Sequence, residues 1–202
     1  MINIDKIYDL MADKGFQEPG TGNLFFPAYI YTYPPEDEQE MRYQINLLNE
    51  KLKRPNHFLD CKVINIFHLI MEFLKNEQFG NSSVFDLILN KEKENAEDAY
   101  QWLFDELNGD AFINFVENNI SAFFDKDPSK KVFLLIYGFG AAFPFIRASD
   151  FLIKIERAIK DFKIIIFYPG HYKNSNYSLF GILNDDNMYR ANHLNKLLGE
   201  IN

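Results

Sequence analysis

A three-layer α/β domain with a mainly parallel sheet of four or five strands is the fold this sequence predicts. Three observations lead there. Short segments at 24–33, 61–66, 132–136 and 163–167 are apolar at consecutive rather than alternate positions, as strands buried on both faces of a covered parallel sheet are. Longer segments between them place apolar residues every three or four positions, the spacing of amphipathic helices. Proline, glycine and asparagine punctuate the joins.

Taken in order, Ile4, Ile7, Tyr8 and Met11 recur at helical spacing, and Gly15 is expected to end that helix. The stretch 18–23 (EPGTGN) reads as a turn-rich linker. In LFFPAYIYTY the proline, Pro27, predicts a strand that begins at or after it. An amphipathic helical pattern follows, with Met41, Ile45, Leu48 and Leu52 on one stripe. Acidic residues lie at its start and Lys51, Lys53 and Arg54 at its end, matching the helix dipole, and Pro55 stops it. Residues 61–66 form a strand that runs into a helix with face Phe67, Ile70, Met71 and Leu74, broken by Gly80. From 82 to 125 the pattern is helical in two or three pieces, interrupted near 91–95 and at Asn108-Gly109. This segment reads as a helical insertion between the second and third strands of a single domain, 1–202.

The strand 132–136 runs into Gly138-Phe139-Gly140, and Ser149 or Asp150 is expected to cap the next helix, with stripe Phe151, Leu152, Ile155, Ala158, Ile159 and Phe162. A strand at 163–167 then leaves through Pro169-Gly170 into a loop and a closing helix rich in polar and aromatic residues.

The chain of 202 residues can bury roughly 70% of its unfolded surface, so it needs no covalent staple. One cysteine, Cys61, excludes an internal disulfide framework. No apolar run is long enough to span a bilayer, and the first residues mix charge with apolar side chains, so a cytoplasmic protein without membrane association is expected. The formal charge of −8 disfavours direct DNA binding. That charge is uneven: residues 61–130 carry 6 basic and 13 acidic side chains, residues 131–202 carry 9 and 6. The C-terminal third could therefore face an acidic partner.

Gly138-x-Gly140 after a strand suits either a phosphate-binding turn, where backbone approaches an anion, or simply a sharp bend. Phe143 stands where a dinucleotide fingerprint needs a third glycine, and no Walker A sequence occurs. The architecture is thus Rossmann-like or that of a degenerate P-loop NTPase. Arg147, just past a strand's carboxyl end, is placed to hold an anion or to clamp a carboxylate bidentately. Asp185 and Asp186, near Arg190, can bind a cation or share acid and base roles, or can cap a helix N-terminus. The four histidines lack metal-ligand spacing, Cys61 opens a buried strand as an inert thiol, and no nucleophile elbow is present. No catalytic residue, metal ligand or cofactor is predicted.

Several motifs resemble one family. Gly138, Gly140, Phe143, Pro144, Phe145, Ile146 and Arg147 are similar to its G-x-G-x-x-[FY]-P-[FY]-[IL]-R element. Phe167 to Tyr172 are similar to F-[FY]-P-G-x-Y, Ser178 to Leu183 to a shortened S-L-x-L-F-G-x-L, and Asp185, Asp186, Tyr189, Arg190 and Ala191 to D-D-x-x-Y-R-A. Tyr31, Tyr33, Pro35, Asp37 and Glu38 match a strand-exit motif further upstream. The chain resembles the B component of the BREX (bacteriophage exclusion) defence systems. The resemblance implies a component of a multi-gene antiphage system that includes a methyltransferase, a large ATPase and the alkaline-phosphatase-like protein PglZ, with PglZ as its partner. It carries over no enzymatic residues. A non-catalytic assembly or regulatory subunit is the reading that follows, with a nucleotide- or phosphate-binding module lacking hydrolytic residues as the alternative. Its docking surface is expected to use Phe139, Phe143, Tyr168, Tyr172, Tyr177, Phe180 and Tyr189, because aromatic side chains give large contact area at modest entropic cost.

Overall fold

The computed structural model describes residues 4–18, 27–53, 58–125, 132–159, 162–173, 176–185 and 191–200. The linker at 19–23, Pro55, His57, Asp186, Tyr189 and Arg190 lie outside them.

Helix α1 (Ile4–Ala12) buries Ile4, Ile7 and Met11. It ends before Gly15, because the Asp13 carboxylate accepts the Phe16 amide at 2.8 Å and starts a new turn, α2 (Lys14–Gln17), with Gly15 inside it. Strand β1 (Ala28–Tyr33) is buried at every position. Helix α3 (Glu38–Leu52) buries the predicted stripe Met41, Ile45, Leu48 and Leu52. Strand β2 (Cys61–Asn65) leads directly into α4 (Ile66–Asn76), where Asn65 caps the helix by accepting the His68 amide. A two-residue antiparallel ladder, β3 (Gln78–Phe79) and β4 (Ser82–Ser83), turns through Gly80.

Three helices fill 84–124. They are α5 (Val84–Glu94), α6 (Ala96–Asn108) and α7 (Asp110–Phe124), divided at Asn95 and Gly109. Asn95 accepts the Glu97 and Asp98 amides, so the side chain that ends one helix caps the next. Strand β5 (Phe133–Tyr137), the one-turn α8 (Phe139–Ala142) and α9 (Ala148–Ile155) follow. The predicted cap at Ser149 or Asp150 is incorrect. The Arg147 carbonyl accepts the Phe151 amide at 3.0 Å, and Ala148, fully buried, extends the apolar stripe one turn earlier.

Strand β6 (Lys163–Lys173) does not exit at Pro169-Gly170 but continues through it, pairing antiparallel with β7 (Asn176–Leu179), which pairs with β8 (Leu183–Asp185). Pro169 lacks an amide but its carbonyl accepts the Phe180 amide. Gly170 sits so close to its neighbour that a Cβ there would stand 2.1 Å from the Ser178 carbonyl oxygen. Glycine serves here for close approach, not for a turn. The expected closing helix is instead β9 (Asn192–His193) followed by one turn, α10 (Leu194–Leu197). The Asn195 amide accepts the Thr32 N–H at 2.8 Å and donates to the Thr32 carbonyl at 2.9 Å, which satisfies the end of β1.

The sheet order is β2-β5-β6-β1-β9, all five parallel, with β7 and β8 attached to the tail of β6. Numbered along the chain, the parallel strands run 2-3-4-1-5, which differs from the 3-2-1-4-5-6 order of dinucleotide-binding folds. Alternate residues divide into two cores. Ile30, Leu134, Ile136, Ile164 and Ile166 face α4 to α9, while Tyr29, Tyr31, Phe133, Leu135, Ile165 and Phe167 face α1 and α3. Burial on both faces is why these strands lack polar alternation. Among the described residues no helix is long and apolar enough to cross a membrane.

Candidate functional site

Open α/β sheets place ligands outside the carboxyl ends of their strands, and the Gly138–Arg147 motif lies there. Gly138 follows β5 with φ of +89°, a backbone state glycine adopts without a Cβ penalty, and starts α8. Side chains of the protein itself stand close against both glycines. A Cβ on Gly138 would lie 2.7 Å from Asn65 Oδ1, the oxygen that caps α4. A Cβ on Gly140 would lie 2.8 Å from Phe180 Cζ and 3.3 Å from Pro169 Cγ. The hairpin β6–β7 and the turn after it therefore fold back over α8, and the Phe180 ring takes the place above Gly140. Its backbone is tied there by the Phe180 N–H to Pro169 carbonyl bond of 3.0 Å.

After α8, a cis Phe143–Pro144 bond leads to Arg147, which is exposed at the N-cap of α9. Asp185 is the last residue of β8, paired in register with Tyr177. Its expected neighbours Asp186 and Arg190 fall outside the described residues.

The predicted aromatic surface divides. Phe139, Tyr168 and Tyr177 are 1%, 0% and 3% exposed and belong to the core, so they do not form a docking face. Their neighbours explain the burial: Phe139 meets Phe151 edge-on, and Tyr177 packs between Tyr168 and Tyr172. Phe143 and Tyr172 are half-buried, with Tyr172 stacked on His193 at 4.1 Å. Phe180 is exposed, beside the more exposed Ile182.

Few titratable groups are strongly displaced. Burial, assisted by the Asp60 carboxylate, pushes the Cys61 thiol up to about 12, which keeps it protonated and unreactive. Burial, then Lys196, lowers His193 to about 4, so its ring is neutral at pH 7. Burial raises the Tyr177 hydroxyl, and among the described residues neither its oxygen nor His193 Nδ1 has a hydrogen-bond partner. Among the described residues no group of three or more His, Cys, Asp or Glu side chains is arranged to hold a metal ion.

A second concavity, of about 360 Å³, opens on the helical face. Phe67, Ile70, Met71 and Leu74 of α4 form one wall. Further walls come from Phe85, Ile88, Leu89 and Glu92 of α5 and from Ala99, Tyr100, Leu103 and Leu107 of α6. Ala141, Ala142 and Phe145 of the glycine motif close it. The four α4 residues are the stripe that periodicity marked as that helix's buried face. The face turned to the core is Ile66, Leu69, Ile70, Phe73 and Leu74, which leaves Phe67 exposed and Met71 half-exposed on the groove. Helical periodicity carried the signal for the groove, but could not tell a wall open to solvent from a packed one.

A family model described as BREX protein BrxB matches residues 62–194. The chain is similar to a BREX protein BrxB of Bacillus cereus (strain H3081.97), 27% identical over 196 residues that cover 93% of each chain. It is also similar to a BREX protein BrxB of Escherichia coli O9:H4 (strain HS), 25% identical over 180 residues, 89% of this chain and 82% of that one. No solved structure matches it. With the glycine motif, the Pro169-Gly170 strand and the β7–β8 turn all inside the matched span, the chain belongs to the BrxB family of BREX proteins.

Proposed function

We propose that this protein is a non-catalytic assembly or regulatory subunit of a cytoplasmic BREX antiphage complex, and that it binds the PglZ-like alkaline-phosphatase-fold protein. The observation that carries the reading is the filled cradle: Asn65 stands against Gly138, and Phe180 with Pro169 against Gly140. A nucleotide phosphate approaching those glycines would meet a ring and an amide of the protein itself. The backbone N–H donors at a helix start attract phosphate only when they are accessible. Phe180 and Pro169, from the hairpin and the turn after it, seat that segment on α8, which suits a scaffold presenting a fixed surface.

Co-purification of the tagged protein with the PglZ-like protein, from cells expressing the whole system, tests the partner. Retention of that protein through washing is expected, and its complete absence would refute the reading. Calorimetry with ATP and Mg²⁺ tests the alternative of a phosphate-binding module. No heat is expected at millimolar nucleotide, whereas saturable heat abolished by Arg147→Ala would favour the alternative.

A further inference from the structure

We infer that the groove between α4, α5 and α6 receives an amphipathic helix of a partner protein, bearing lysine or arginine where it meets Glu92. The inference rests on the assembly reading above and names the kind of partner segment that it would use.

Three features select this occupant. The walls are helices, whose backbone groups are bonded within themselves, so the groove offers side chains and no sheet edge. An extended peptide laid there would bury amide and carbonyl groups without partners, whereas a helix brings its own satisfied. The lining is almost wholly apolar, with Phe67, Leu89 and Tyr100 each about 40% exposed, which suits a stripe of aliphatic or aromatic anchors at helical spacing. The wall α5 has 11 residues, about 16 Å, so it matches roughly three turns of a partner helix.

Charge then sets the sign and the direction. The α5–α6 segment, 84–108, carries seven carboxylates against two lysines. Lys91 is already paired with Glu94 and Asp98. Glu92, exposed on the wall, has no ion pair among the described residues. Two turns earlier on the same face, Lys75 Nζ lies 5.4 Å over the Phe85 ring. Glu92 thus sets a negative charge on the groove lining at one end, and Lys75, beside the lining, a positive charge over Phe85 at the other. A helix whose basic residues stand at one end of its apolar stripe would dock in one direction only, and like charge would penalise the reverse.

Photocrosslinking in cells that express the complete BREX system tests this. A benzophenone-bearing phenylalanine replaces Leu89 in the groove or, as control, Tyr43, which is 62% exposed on α3. The expected product at Leu89 joins an amphipathic, lysine- or arginine-flanked helical segment of another BREX component, identified by mass spectrometry. Glu92→Lys, at an exposed position that leaves the fold intact, is expected to lower its yield about fivefold. A crosslink to a second copy of this chain, to an extended or acidic segment, or at a yield no higher than the Tyr43 control would overturn the inference. If Leu89→Asp and Glu92→Lys leave the co-purified complex unchanged, the groove is not the contact while the assembly reading stands. If the wild-type protein captures no BREX component, the assembly reading fails first.

Discussion

Replacing Gly170 by alanine tests the role of the hairpin most directly. In β6 the residue pairs with Leu179, and a Cβ there would stand 2.1 Å from the Ser178 carbonyl oxygen and 3.0 Å from its carbon. Both are backbone atoms of a paired strand, so no side-chain rotation relieves the clash. The ladder has to part until the contact reaches at least 3.0 Å. That opening breaks about two backbone hydrogen bonds, worth about 1 kcal/mol each. It also loosens the packing of Leu179, 3% exposed, for about another 1 kcal/mol. A loss of about 3 kcal/mol lowers the melting temperature of a domain this size by roughly 6–12 °C. Thermal and urea unfolding, followed by circular dichroism and Trp102 fluorescence, measure it. Gly80→Ala is the control, because Gly80 has φ of +65° but nothing within 4 Å of a built Cβ, so only backbone strain of about 1 kcal/mol applies. If Gly170→Ala cost no more than Gly80→Ala, Gly170 would be a turn residue after all, and the packed hairpin that carries Phe180 over Gly140 would be wrong.

Other expectations concern single residues of the two outer parallel strands, β2 and β9. Asn65→Ala removes the cap that accepts the His68 amide at 3.2 Å and should destabilise the domain by about 1 kcal/mol in urea unfolding. His193 is held at about 4 in the fold, below its ordinary 6.5, so the unfolded chain takes up its proton first. The stability this contributes is complete above about pH 6.5 and is lost as pH falls toward 4. The slope of unfolding free energy between pH 7 and pH 4.5 should accordingly be shallower in His193→Phe than in the parent. Cys61, buried with its thiol pushed up to about 12, should resist iodoacetamide at pH 8 in the native protein and react promptly in urea.

Much of the fold was legible in the sequence because burial is written into local periodicity. Strand segments apolar at successive positions became β1, β2, β5 and β6, and the Met41–Ile45–Leu48–Leu52 stripe became the buried face of α3. Asn95 and Gly109 marked true helix ends, since cap and breaker chemistry acts within a few residues. The errors share one cause. Residue type alone points to a helix end at Gly15, a strand exit at Gly170 and a cap at Ser149, but glycine and serine serve several geometries, and the competing cap at Asp13, the neighbouring strand and the burial of Ala148 decide among them. Aromatic side chains were similarly ambiguous. Tyr168 and Phe180 look alike in sequence, yet one is fully buried and the other lies on the surface.

From the linear chain alone come the α/β class, the alternation of the four main strands with their helices, the family motifs and the glycine bend after β5. Each depends on side chains within a few residues of one another, where propensity and period suffice. Only the tertiary structure decided the order β2-β5-β6-β1-β9, the passage of β6 through Pro169-Gly170, the seating of Phe180 on Gly140 and the opening of the α4–α6 groove. Those features join residues separated by tens of positions. Whether an apolar stripe is covered or left as a wall depends on what the rest of the chain brings to it.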